Sequence, residues 1–154
     1  MALRGFGHIT TTAGDMVSIV EVSPVSAQYP GRAAFFEGLI EKISRSDKLP
    51  TIEEIERLWF ELQREMVESG RVVRFPATVV APDGGEQQQD VVRVGSFNLV
   101  TTTGDYLSFS GGRIEQLARQ PERRYRKWAA ELAAADDGLQ RFGADPTGPT
   151  GGSL

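Results

Sequence analysis

Six glutamates, Glu53, Glu54, Glu56, Glu61, Glu65 and Glu68, crowd into residues 51–69, and closely set carboxylates are what glycosidic acid–base chemistry needs. One carboxyl protonates the leaving oxygen while the other attacks the sugar or activates water. Most of the six lie off the apolar stripe of the helix that carries them, which predicts a solvated helix face rather than a catalytic pair. A second cluster, Arg119, Arg123, Arg124, Arg126 and Lys127 with Tyr125 and Trp128, has the composition to meet anionic headgroups, a glycan or an acidic partner. Tyr125 and Trp128 fall on the apolar face of their own helix, so core packing is the expectation for the rings. His8 is the sole histidine and cysteine is absent. A Ser-His-Asp relay and a thiolate zinc site therefore lack their parts, and His8 is expected in solvent. Gly5-Phe6-Gly7 and Gly111-Gly112 do not sit between a strand and a helix, and no GK[ST] motif occurs, so no phosphate-cradling loop is expected. These residues predict no catalytic, cofactor-binding or metal site.

Period and punctuation define the elements that position these groups. Thr51 with Glu54 three residues on forms a capping box, and Gly70 is expected to supply a left-handed stop, giving a helix over 51–69. Ile52, Ile55, Trp59, Leu62 and Met66 recur at intervals of three and four and predict one buried apolar stripe, flanked by Glu53–Arg57 and Arg64–Glu68 pairs. Phe60 and Val67 lie one heptad apart and off that stripe; they form either a second buried face or an exposed contact patch. Upstream, residues 1–22 hold Gly5, Gly7, Gly14 and the run Thr10-Thr11-Thr12, and read as an N-terminal arm awaiting a partner. A turn with Pro24 and Pro30-Gly31 leads to a helix over 31–46 carrying Phe36, Leu39, Ile40 and Ile43.

From Arg71 the period falls to two, with Val73, Phe75, Ala77 and Val79 on one face of a strand over 71–81. Pro76 assigns that strand to a sheet edge or a bulge. In the next strand Val92 and Val94 share one parity while Phe97 and Leu99 share the other, which predicts a bulge near Gly95. Two short strands follow, over 106–109 and 113–117, and Pro121 is expected to open a last helix that ends near Asp137-Gly138. The resulting expectation is an α+β fold: a four-stranded antiparallel meander packed with about three α-helices. It forms a single domain over 23–142, with a flexible linker over 143–154.

A chain of 154 residues has the size of one domain with a sizeable core. Its net charge of -4 opposes a dominant nucleic-acid role, which needs phosphate neutralisation. Apolar runs fall far short of the roughly 20 residues that span a bilayer, and no basic-then-apolar signal segment follows Met1. The segment is expected neither to cross a membrane nor to direct its own export. The lack of cysteine leaves the redox compartment open.

Residues 49–70, LPTIEEIERLWFELQREMVESG, closely resemble a segment of the long ExbB-type proteins of the MotA/TolQ/ExbB proton-channel family. The similarity continues through residues 25–32 (VSAQYPGR), through 90–100 (DVVRVGSFNLV), and through Arg119-Gln120-Pro121 with Arg124-Tyr125, so it covers nearly the whole chain. Asp145-Pro146-Thr147 is similar to the family's Asp-Pro-Thr before the membrane, but residues 148–152 lengthen that tail. The resemblance implies a soluble periplasmic segment, flanked in the family by an upstream signal peptide and coiled coil and a downstream transmembrane channel. It further implies a part in TonB-dependent energy transduction for outer-membrane transport, iron uptake included, with ExbD-like and TonB-like proteins as partners.

Charge layout adds an expectation of its own. Residues 51–69 carry six Glu against two Arg, a local -4, while 119–127 carry five basic residues against Glu122, a local +4. Glu61, Glu65 and Glu68 are therefore expected to meet Arg119, Arg123, Arg124, Arg126 and Lys127, within one molecule or between neighbours in a ring. The reading that follows is a non-catalytic periplasmic interaction or assembly domain. The alternative is a module binding peptidoglycan or another cell-wall ligand through Arg123, Arg124, Tyr125 and Trp128.

Overall fold

The computed structural model describes residues 2–46 and 49–144. The segment expected to be an arm is instead a long helix, α1 (Ala2–Val22). Its glycines each cost about 1 kcal/mol relative to alanine in a helix interior, but Ala13, Met16 and Val20 bury against Phe36 and Leu39 of α3 (Arg32–Ser46), with Ile9, Val17, Ile40 and Ile43 packed around them. Tertiary burial thus overrides local propensity; the partner the arm awaited is the next helix of the same chain. Between them Pro24 precedes a single turn, α2 (Val25–Gln28).

Helix α4 (Ile52–Ser69) starts at the predicted capping box: the Glu54 amide donates to Thr51 Oγ1 at 3.2 Å and the Thr51 amide to Glu54 Oε2 at 2.8 Å. Its end differs from expectation. Gly70 has φ -94°, not a left-handed value, and the helix closes through the Gly70 amide on the Val67 carbonyl at 3.3 Å and the Arg71 amide on the Glu68 carbonyl at 3.1 Å.

The sheet also corrects the prediction. Five strands, β1 (Val72–Val80), β2 (Glu86–Val94), β3 (Asn98–Thr101), β4 (Tyr106–Ser110) and β5 (Arg113–Gln116), form a closed mixed barrel, not a four-stranded antiparallel meander. Successive strands are antiparallel, and β5 returns beside β1 in parallel through Val79↔Ile114 and Val80↔Glu115. Two physical causes separate this from the expectation. The parity change at Gly95 marks a turn that divides β2 from β3: Gly95 has φ +58°, and a Cβ there would lie 2.3 Å from the Ser69 carbonyl oxygen. Closure depends on accumulated strand twist, which a two-residue period does not encode.

One residue from each strand, Val79, Val91, Leu99, Leu107 and Ile114, fills the barrel, with Phe75 and Ala77 beside them. Pro76 occupies the part of β1 along which β5 does not run, as a residue without an amide proton requires. The outer face of β2–β4 places Val92, Val100 and Tyr106 under Ala129 and Ala133 of α5 (Arg123–Ala134). That helix begins two residues after Pro121 and ends before Asp137. Phe142 stacks on Tyr106 at 5.7 Å, and the Tyr106 hydroxyl donates to the Gly143 carbonyl at 2.7 Å. The chain is therefore fastened at the first residue of the expected linker, and residues 145–154 lie outside the described ones.

Candidate functional site

The orientation of α4 is the main departure from the sequence reading. Of the stripe expected to be buried, Ile52 is 71% exposed, Ile55 42%, Trp59 64% and Met66 75%, while Leu62 is half-buried. Phe60 and Val67, left open between two readings, are exposed at 54% and 59%. The helix turns inward its Leu58 and three of its carboxylates, Glu61, Glu65 and Glu68. These are the groups expected on a solvated face.

Two fully buried arginines cause the inversion. A guanidinium out of water is strongly unfavourable unless paired and hydrogen-bonded, so Arg32 at the start of α3 and Arg93 in β2 demand the acidic face of α4. Arg32 Nε donates to Glu61 Oε2 at 2.9 Å, and Nη1 donates to Ser26 Oγ at 3.3 Å. Arg32 Nη1 also lies 2.8 Å from Glu65 Oε2 as an ion pair without hydrogen-bond alignment, and Ser23 Oγ donates to Glu65 Oε1 at 2.6 Å. Arg93 Nη1 donates to the carbonyls of Glu68 and Gly95, each at 2.8 Å, and Nη2 donates to Glu68 Oε2 and, at 3.2 Å, to Gln28 Oε1. Arg71 Nη1 adds a bond to Glu68 Oε1 at 3.0 Å. Burial pushes the Glu68 carboxyl up, but the Arg71 hydrogen bond and the Arg93 charge outweigh it and hold the group below the usual carboxylate range.

Arg64 completes the network from the surface side. Its Nη1 donates to Glu61 at 3.0 and 3.1 Å, and its guanidinium lies 4.5 Å from the ring centroids of both Tyr29 and Phe60. Tyr29, Phe60, Gln63, Arg64, Val67 and Glu68 line a shallow cavity of about 330 Å³. Phe60 thus belongs at once to the outward face and to the rim of the ion network.

The pairing expected between α4 and residues 119–127 does not form, because the α4 carboxylates are engaged by Arg32, Arg64, Arg71 and Arg93. Arg126 pairs instead with Asp105, Lys127 approaches Glu131 at 3.7 Å, and Arg124 meets Glu122 at 3.0 Å. Arg119 and Arg123 are exposed. Tyr125 and Trp128 meet edge to face at 5.5 Å, and Tyr125 packs at the margin of the core under α5. His8 is exposed on α1.

A larger cavity, about 570 Å³, opens between the helical layer and the barrel, lined by Ala27, Ala33, Ala77, Phe109 and Ile114 with the exposed carboxylates Glu21, Glu37 and Glu86. Among its lining residues Arg113 approaches Glu86 at 3.7 Å. Among the described residues no cluster of three or more histidines and carboxylates is arranged around a metal position, and no helix is long and apolar enough to cross a membrane. The sequence reading missed Arg32 and Arg93. A signal for the second was present: Arg93 shares strand parity with the barrel-filling Val91 and is flanked by valines.

Compared with protein-family models, curated proteins and solved structures, the chain gives no match.

Proposed function

We propose that this chain is a non-catalytic interaction domain whose working surface is the outward face of α4. The resemblance of residues 49–70 to the ExbB-type proteins supplies the setting. In that setting the domain is the periplasmic part of a proton-channel subunit, engaging ExbD-like and TonB-like proteins during TonB-dependent energy transduction. The observation that carries the reading is the set of exposures at Ile52, Trp59, Phe60, Met66 and Val67, since a soluble domain rarely leaves so large an apolar patch without a partner. The ion network supports it: by holding the acidic face inward, Arg32 and Arg93 compel the apolar face outward.

The cell-wall alternative draws no comparable support, because, of its residues, Arg124 pairs with Glu122 and lies over the Tyr125 ring, and Arg141 lies over the Trp128 ring. The test is site-specific photo-crosslinking from exposed Phe60 and, as a control, from exposed Arg123 in cells holding the full membrane system. Adducts to ExbD-like or TonB-like proteins from Phe60 and not from Arg123 are expected. Adducts from neither position to any component of that system would overturn the assignment to it.

A further inference from the structure

We infer that α4 is a homodimerisation seam, along which two copies of this chain pair antiparallel through Ile52, Ile55, Trp59, Leu62 and Met66. The inference rests on the reading of α4 as the working surface and assigns its Ile52–Met66 stripe to a second copy, leaving the edge with Phe60 and Val67 to the other partners. Three observations select a second copy.

The first is spacing. The five residues follow a strict three-four-three-four repeat, the a/d seam that a facing helix fills by knobs-into-holes packing. A flat partner or an extended peptide would not require it.

The second is extent. With large side chains at about 150–250 Å² each, the exposed fractions of the seam residues Ile52, Ile55, Trp59 and Met66 leave on the order of 500 Å² of apolar surface facing outward. That supplies most of the ~800 Å² each partner contributes to a standard interface, and the exposed Glu56 and Gln63 beside the seam add to it.

The third is charge. Glu61, Glu65 and Glu68 are matched by arginines inside the domain, so a helix with six glutamates nonetheless presents an almost neutral face. Beside the seam on its exposed side stand Glu56 and Gln63. In an antiparallel pair Glu56 of one copy faces Gln63 of the other, so like charges do not oppose, and the two helix dipoles run against each other. Trp59 then packs over the outer edge of Leu62 of the second copy, a side chain whose other side lies against its own core, and Ile55 beside Met66, large against smaller, whereas parallel pairing would set the two Trp59 rings against each other. The face suits its own copy and offers little to a strongly charged partner.

Sedimentation equilibrium of the 154-residue chain is expected to show a reversible dimer that persists at 0.5 M salt, a concentration at which pairing through surface charges is screened. Trp59→Ala should weaken the dimer by about 30-fold, the scale of an interface hot spot, with an unchanged far-ultraviolet spectrum because Trp59 is mostly exposed in the single chain. Orientation is read by disulfides in this cysteine-free chain: Glu56→Cys mixed with Gln63→Cys should cross-link between copies, and Gln63→Cys alone should not. A folded monomer at all concentrations would overturn the inference, as would a dimer indifferent to Trp59→Ala or a cross-link from Gln63→Cys alone. If the chain is monomeric while Phe60 still captures ExbD-like or TonB-like proteins in cells, the inference falls and the proposed function stands.

Discussion

The Arg93 guanidinium, inside the domain on β2, is clasped by Glu68 twice: by its side-chain Oε2, and by its backbone carbonyl at 2.8 Å. This relationship joins the barrel to the last turn of α4 and fixes the rotation of the helix about its own axis. With Glu68 turned inward, Met66 and Val67 point to solvent.

Breaking that clasp should be costly from either side. Arg93→Met leaves Glu68 buried with only the exposed Arg71 as a countercharge, and loss of one partner from a buried pair costs about 3–5 kcal/mol. Glu68→Gln keeps an acceptor for Arg93 but takes the carboxylate from a fully buried guanidinium, and a loss of the same size, about 3–5 kcal/mol, is expected. Urea unfolding of the two variants and of the double variant Arg93→Met/Glu68→Gln measures this. The double variant should lose less than the two single losses added together, since it removes the stranded charge; strict additivity would mean the pair is not coupled.

Acid should weaken the domain through the same carboxyl. Glu68 has its folded pKa depressed, so the unfolded chain binds the proton more readily. The contribution is complete above the unfolded value of about 4.3 and is lost as pH falls through the lower folded one. Melting temperature is expected to drop below about pH 4.3, and Glu68→Gln should flatten that part of the profile. An identical acid limb in the variant would assign the loss to other carboxylates.

Alkali should act at a different place. Burial, with a smaller contribution from Tyr125, pushes the Tyr106 phenol up to about 12, so the folded state favours the protonated form. Its contribution is whole below the unfolded value of about 10 and disappears as pH climbs through about 12. Tyrosinate absorbance should show one of the three tyrosines ionising late, and Tyr106→Phe should remove that phase. The variant also gives up the hydrogen bond to Gly143, at a cost of about 0.5–1.5 kcal/mol. A late phase that survives in Tyr106→Phe would contradict the assignment.

What the sequence disclosed and what it hid divide by range. The Thr51–Glu54 box, the period of α3 and the strand holding Phe75, Ala77 and Val79 are local signals, and each stands where it was read. The parity change at Gly95 was visible, but a bulge and a turn both produce it. The deciding contact, Gly95 against the Ser69 carbonyl, joins residues far apart in sequence. Barrel closure and the burial of Arg32 and Arg93 are non-local in the same way. Because neither arginine was singled out, the glutamates of α4 were assigned to solvent and its apolar stripe to the core. One missed pair of buried charges was enough to invert the helix.

Gly95 and Gly111 offer a comparison that isolates close approach from backbone conformation. Their φ values are +58° and +57°, but a Cβ at Gly95 would collide with the Ser69 carbonyl at 2.3 Å while one at Gly111 meets nothing within 4 Å. Gly111→Ala should cost about 1–2 kcal/mol, the left-handed penalty alone. Gly95→Ala should cost that plus the displacement of the α4 terminus, bringing the total to at least about 3 kcal/mol. Equal losses in thermal unfolding would show that the β2–β3 turn does not press on the helix.

The rotation of α4 can be tested without any partner. Leu58 is buried against Met16, Phe36 and their neighbours, so Leu58→Ala should destabilise by about 2–5 kcal/mol. Trp59, the next residue, is mostly exposed, and Trp59→Ser should change the stability of the monomer by no more than about 0.5 kcal/mol. Urea unfolding at low protein concentration, where association is negligible, makes the comparison. In the opposite rotation, with the stripe of Ile52, Ile55, Trp59, Leu62 and Met66 in the core, Trp59→Ser would be the larger loss. The order of the two variants therefore decides which face of α4 is available to a partner.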